Sequence, residues 1–289
     1  MIVSVSSYSF QQVLNKGELN CLTLIDKVKE MGFTAMEYTD FNLYNMEKSL
    51  EENLSYAREV KKKADEQGIT ICSYTIGATM YHDEPKEREK EINRVKEQVL
   101  VAESLGTKVM RHDVCNGLSE INNSFDLMLP QMAQNIREIT EYAMARGIKT
   151  CSENHGFISQ DSDRMERLYN YVNHRNYGLL VDIGNFLCVD ENPLTAVSRV
   201  APYAIHAHAK DMLFFDGTVP RFSMAATRGG NYFKGTVIGE GNVPVLACLR
   251  ALKKAKYDGF LSIEYEGAED CISSIAVSKE NLEKYLKLI

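Results

Sequence analysis

Five short stretches of the chain place polar, chemically capable side chains directly after apolar runs. They are Arg111-His112-Asp113, Glu153-Asn154-His155, Asp182-Ile183-Gly184-Asn185, His206 through Asp211, and Glu264-Tyr265-Glu266. Carboxylates buried at such positions are costly unless they are paired or metal-bound. In an extended segment, residues two apart share a face, so His206 falls in with His208, and Glu264 with Glu266. One carboxylate each from the second, third and fifth stretches, with one imidazole from the fourth, would make a hard, mostly oxygen donor set. Such a set suits Mn²⁺ or Mg²⁺ with coordination positions left open, rather than a closed structural zinc site.

Positioning these groups falls to a repeating unit: an amphipathic helix, a glycine, then a β-rich run. The unit recurs at Gly32, Gly68, Gly106, Gly147 and Gly259, with a looser copy at Gly178. Glycine just past a helix is the usual left-handed cap. The helical segments carry apolar residues at helical spacing, as in Ile92, Val95, Val99 and Ala102, or Phe125, Met132, Ile136, Ile139 and Ala143. With the runs 2–8 and 203–209 added, eight strands are expected: 2–8, 33–38, 69–75, 107–112, 148–153, 178–182, 203–209 and 260–264. Eight strands alternating with helices predict an α/β fold, a single (β/α)8 TIM barrel over residues 1–289. The alternative is an open doubly wound sheet, but no GxGxxG follows the first strand. The five polar stretches then stand at strand ends, where barrel chemistry sits. Residues 210–242 are expected to form the longest loop at the mouth.

The motifs SENHG (152–156), VDIGN (181–185), HAHAKD (206–211), GEG (239–241) and LSIEYE (261–266) occur in the order and spacing of a known family. Through them the chain resembles the sugar phosphate isomerase/epimerase family, with its xylose-isomerase-like TIM barrel. Carried over residue by residue, the resemblance implies Glu153, Asp182, His208 and Glu264 as ligands of one divalent metal. Mn²⁺ is the first choice, with Mg²⁺, Co²⁺ or Zn²⁺ as alternatives. It also implies Glu153 and Glu264 as the acid–base pair, with His155 as the rival base. Two positions depart from the sugar 3-epimerases of this family. Asn185 stands where they carry His, and Phe214 where they carry Arg, a role open to Arg221 or Arg228.

The expected activity is isomerisation or epimerisation of a ketose, keto-sugar or related polyol. A metal chelating adjacent oxygens polarises the carbonyl and stabilises the enediolate left when the neighbouring proton departs. The alternative is a lyase or dehydratase of the same barrel family, inosose dehydratase-like or C-glycoside-cleaving. Substrate contacts are expected from Glu37, His112, Asn185, Lys210 and Arg221. Lys210 and Asp211 are equally open to a local ion pair, and His112 to core packing. His206 reads as a packed, satisfied core histidine, and Glu240 as part of a tight turn.

Composition narrows the other classes. A net charge of −7 disfavours nucleic acid as a partner. A DNA-repair endonuclease group shares this barrel but needs more histidine ligands than six scattered residues offer. A non-catalytic sugar-binding protein would not need the four ligands intact. No stretch of about 18 apolar residues occurs, so no membrane span is expected. The amino-terminal MIVSVSSYSF lacks the pattern of an export signal. Seven Cys without a CxxC fit reduced thiols, hence a cytoplasmic expectation. A homo-oligomer is compatible with all of this, and the partner is expected to be a small sugar-like molecule.

Overall fold

The computed structural model describes residues 1–289. Its strands are β1 (Ile2–Ser6), β2 (Ala35–Thr39), β3 (Thr70–Ile76), β4 (Val109–His112), β5 (Lys149–Glu153), β6 (Tyr177–Asp182), β7 (Ala204–Ala209), β8 (Asp211–Phe215), β9 (Ala225–Ala226), β10 (Tyr232–Thr236) and β11 (Phe260–Ile263). Seven of these, β1 to β7, close into a parallel barrel with β11 standing between β7 and β1. The eight expected strands are therefore the eight barrel strands.

The expected caps hold at four glycines. Gly32, Gly68, Gly106 and Gly147 all have φ between 70° and 75°, where a β-carbon would be strained. The two other copies are corrected. Asn173 ends its helix in the left-handed region and Lys256 takes the equivalent place before β11, so neither Gly178 nor Gly259 is a cap. Gly178 lies inside β6, where a β-carbon would come 2.6 Å from the Ile205 side chain. It is glycine for close strand approach.

The helices cover the barrel with their apolar faces. Helix Phe125–Met144 buries Met132, Ile136, Ile139 and Ala143, and each large side chain so buried contributes about 1.5–3 kcal/mol. On β5 the alternation is visible directly. Thr150 faces this helix, its Oγ1 2.6 Å from Thr140 Oγ1, so Cys151 and Glu153 face the interior.

Residues 210–242 are not merely a loop. β8 and β10 pair antiparallel with Phe214 opposite Phe233, and β9 adds to β10, giving a small sheet over the mouth. Its base is tied by Asp211. That carboxylate accepts backbone N–H groups from Met212 (2.8 Å), Gly239 (2.9 Å), Gly241 (3.0 Å) and Val243 (3.0 Å). A β-carbon at Gly241 would fall 2.1 Å from Asp211 Oδ1. The GEG turn is thus a cradle for one carboxylate, and Asp211 is structural.

Candidate metal centre

Register brings the implied ligands together. Asp182 pairs with His208 across β6 and β7, His208 pairs with Ser262 across β7 and β11, Glu153 ends β5, and Glu264 follows β11. His208 Nδ1 faces Glu264 Oε2 at 3.5 Å, Glu153 Oε1 at 3.6 Å and Asp182 Oδ2 at 3.7 Å. These contacts are too long for hydrogen bonds. The four donor atoms lie within 4.8 Å of one another, and the residues are buried.

The surroundings show which atoms are held and which are left. Asp182 Oδ1 accepts the backbone N–H groups of Gly184 (2.7 Å) and Asn185 (2.9 Å), while Oδ2 has no hydrogen-bond partner. Gly184 is needed there because a β-carbon would meet the Lys210 carbonyl oxygen at 2.9 Å. Asn154 clamps β6 by donating to the Asp182 carbonyl and accepting from the Asp182 N–H, both at 2.9 Å. Below, Glu37 Oε1 lies 2.9 Å from His208 Nε2 and Oε2 lies 2.7 Å from His206 Nε2. Burial works against the Glu37 charge. The imidazoles of His208 and His206 outweigh it and hold this carboxyl well below the usual range. A proton on Nε2 directed at Glu37 leaves the His208 Nδ1 lone pair free to bind a cation. His208 Nδ1, buried and without a hydrogen-bond partner, and Asp182 Oδ2, whose one close cation is Lys210 Nζ at 3.3 Å, are donors that a bound divalent ion would engage. The residues therefore fit a metal.

Other sites depart from expectation. Glu37 does not line the substrate cavity. It is fully buried beneath the ligands, because it stands in the middle of β2, two residues before the strand end that reaches the mouth. His112 does not line it either. Arg111 points inward to Glu153, so its neighbour His112 is turned to the other face, with Nδ1 2.9 Å from the Asp113 carbonyl oxygen. Burial there lowers its pKa to about 4. Arg221 is on the surface, its guanidinium 4.1 Å from the centre of the Phe215 ring. Arg228 bonds Asp161 and the Phe157 carbonyl. Neither arginine lines the cavity over the ligands. His206 is the satisfied core histidine expected, with Glu37 and Ser262 as partners.

Asn185 and Lys210 are brought to the ligands. Asn185 Nδ2 donates to Glu153 Oε1 at 2.9 Å, and its Oδ1 accepts from Lys210 Nζ at 3.1 Å. Lys210 Nζ also lies 2.5 Å from Glu264 Oε2 and 3.3 Å from both Asp182 Oδ2 and Glu266 Oε1. Burial opposes the lysine charge, but Asp182, Glu264 and Glu266 keep it well above its ordinary pKa.

Three residues named only as members of polar stretches turn out to shape the mouth. Arg111 sits 2.7 Å from Glu153 Oε2 and 2.5 Å from Asp113 Oδ1. Asp113 in turn holds His155 Nδ1 at 2.9 Å. Burial disfavours the imidazolium, but Asp113 raises the His155 pKa above its usual value. The third is Glu266, which lines the cavity of about 120 Å³ beside Arg111, Asp113, Glu153, His155 and Glu264. The two-residue alternation from Arg111 to Asp113, and from Glu264 to Glu266, was the available signal.

The family sequence model described as xylose isomerase-like TIM barrel matches residues 25–288. An uncharacterised protein of Methanocaldococcus jannaschii is 27% identical over 175 residues, spanning 58% of this chain but 53% of that protein. The inosose dehydratase of Clostridium beijerinckii is 23% identical over 234 residues, 76% of this chain and 78% of that enzyme. The structure of D-psicose 3-epimerase with D-tagatose from Clostridium cellulolyticum H10 superposes with a TM-score of 0.73 at 16% identity, covering 100% of this chain and 98% of that one. No helix is long and apolar enough to cross a membrane.

Proposed function

The chain belongs to the xylose isomerase-like TIM barrel family, and on that premise we propose that it is a divalent-metal-dependent isomerase or epimerase of a ketose, keto-sugar or related polyol. The observation that carries this reading is the convergence of three buried carboxylates, Glu153, Asp182 and Glu264, on the unpartnered His208 Nδ1. Glu153, Asp182, His208 and Glu264 would hold the ion, with Mn²⁺ the best match to three carboxylates and one imidazole. A bound ion supplies Lewis-acid polarisation of a substrate carbonyl, which acidifies the neighbouring C–H.

The protein groups then hold and move the proton. Glu153 and Glu264 lie on different strands at the mouth, so each can reach a different face of a bound ketone. Arg111 and Asn185 orient Glu153, and Lys210 orients Glu264. Removal of the proton by one carboxylate and its return from the other side gives the epimer; return to the adjacent carbon gives the isomer.

A second reading, a dehydratase or lyase, is favoured by one observation. Both Glu153 oxygens already have protein partners, Asn185 and Arg111. His155, fixed through Nδ1 by Asp113, keeps Nε2 for the mouth and is the freer base. His155 taking the proton, and the β-hydroxyl leaving as water once the imidazolium so formed protonates it, would give the reaction named for the Clostridium relative.

Candidate ketoses, keto-inositols and 3-keto-glycosides with added Mn²⁺ in deuterated water test both readings. Carbon-bound deuterium in recovered substrate or product supports proton removal. Turnover in protein freed of metal by a chelator would sink the metal-dependent reading. His155→Ala chooses between bases. Collapse with metal retained favours the dehydratase or lyase, and a modest loss favours the Glu pair.

A further inference from the structure

We propose that the substrate carries an uncharged, apolar substituent that leaves the barrel mouth between Asp40 and Phe41 and lies in the cleft beside it. The inference rests on the mouth being where the reacting ketone binds, and it adds the class of that ketone. The cavity over the ligands measures about 120 Å³. Pockets that engulf a drug-sized ligand run to about 300–1,000 Å³. Next to it is a cleft of about 700 Å³, and Asp40 and Phe41 line both spaces. A molecule seated on the ligands and longer than the mouth can leave past these two residues or past Tyr8 and Glu266 into a space of about 440 Å³; the cleft beyond Asp40 and Phe41 is the larger of the two.

Their side chains are arranged for such a passage. Asp40 Oδ2 accepts the Gly77 N–H at 3.2 Å, while Oδ1 is buried and has no partner. Phe41 and Met46 are 71% and 84% exposed although they line the cleft, and Tyr44 completes its apolar wall. The Phe41 ring has the Tyr8 ring 6.3 Å away across the mouth side, so an aromatic face borders the route taken by a sugar ring.

Charge selects against an anionic substituent. Asp40, Glu87, Glu91 and Glu97 line the cleft against Lys90 and Arg94. Arg94 is already engaged by Glu91 and the Gly77 carbonyl, and Lys90 lies 3.8 Å from Glu87. A phosphate would meet surplus carboxylate; an aryl or alkyl group would cover Phe41, Tyr44 and Met46.

The test is equilibrium binding to the Mn²⁺-loaded protein of phenyl β-D-glucopyranoside, methyl β-D-glucopyranoside and glucose 6-phosphate. The phenyl compound should bind about tenfold or more tighter than the methyl one, as burial of an added ring predicts, and the phosphate weakest. The phenyl advantage should shrink about fivefold or more in Phe41→Ala combined with Met46→Ala, both exposed and harmless to folding. Equal affinity of phenyl and methyl compounds, an advantage that survives the double substitution, or no binding of either glycoside overturns the proposal. Because binding is read, failure of proton removal shows separately, as absence of deuterium from a bound ketone.

Discussion

Around His208 the barrel holds two clusters of the same residue types at successive depths. The lower one, Glu37 with His206 and His208, has both carboxylate oxygens matched to imidazole nitrogens, at 2.7 and 2.9 Å. The upper one aims three carboxylates at the other nitrogen of the same His208, with no contact shorter than 3.5 Å. In both, the donor atoms lie within 4.8 Å of one another. The difference between them is the matching of donors to acceptors. In the lower cluster each carboxylate oxygen lies 2.7 or 2.9 Å from an imidazole nitrogen, whereas in the upper one three carboxylates from three strand ends stand 3.5–3.7 Å from a single nitrogen. Residue type alone does not separate a candidate metal site from a buried salt bridge; the spacing and convergence of the facing atoms do.

Substitutions in each cluster should therefore act on different observables. Glu264→Gln strikes the upper one and is expected to lower kcat by about 10²–10⁴-fold, read in a deuterium-exchange or turnover assay alongside metal content. Activity within a few-fold of the parent would remove Glu264 from the chemistry. Glu37→Gln keeps every upper ligand but weakens the support of His208. The dissociation constant for Mn²⁺ should rise by about 10–100-fold, measured by titration; an unchanged constant would mean that the lower cluster is not coupled to the upper. His206→Ala should act mainly on stability, about 1–3 kcal/mol by urea unfolding, since it strands Glu37 Oε2. If it weakened metal binding more than Glu37→Gln does, the proposed division of labour would be wrong. Arg221→Ala touches neither cluster and should change stability by no more than about 0.5 kcal/mol and leave turnover as it is. A large loss of turnover would reopen a role for the roof.

The strands and the upper ligands were legible in the sequence because each leaves a local mark: a glycine cap, a short β-branched run, then a polar residue where water should be excluded. Depth was not legible. Glu153 ends β5, whereas β2 runs on past Glu37 to Thr39 and leaves Glu37 below the ligands, and no residue type announces where a strand stops. Facing was legible in principle, since Arg111 and Asp113 alternate with His112, but the choice of which set looks inward needs a partner strand. The small sheet β8–β10 was hidden because its strands are half-exposed and lie in a segment rich in glycine and turn residues. Arg221 illustrates the same limit: its charge suggested a pocket, while the only aromatic ring it found was Phe215 on the outside.

The Asp211 cradle has a consequence for how this barrel can diversify. One side chain fastens both ends of the roof, from Met212 on the outgoing strand to Val243 on the return. Whatever is spliced between those points begins and ends at fixed positions, and none of the four upper ligands lies inside the splice. A change of length or sequence between those points would leave the strands that carry the ligands in place, at the cost of the hydrogen bonds that Thr227, Gly229 and Asn231 donate to Asp190.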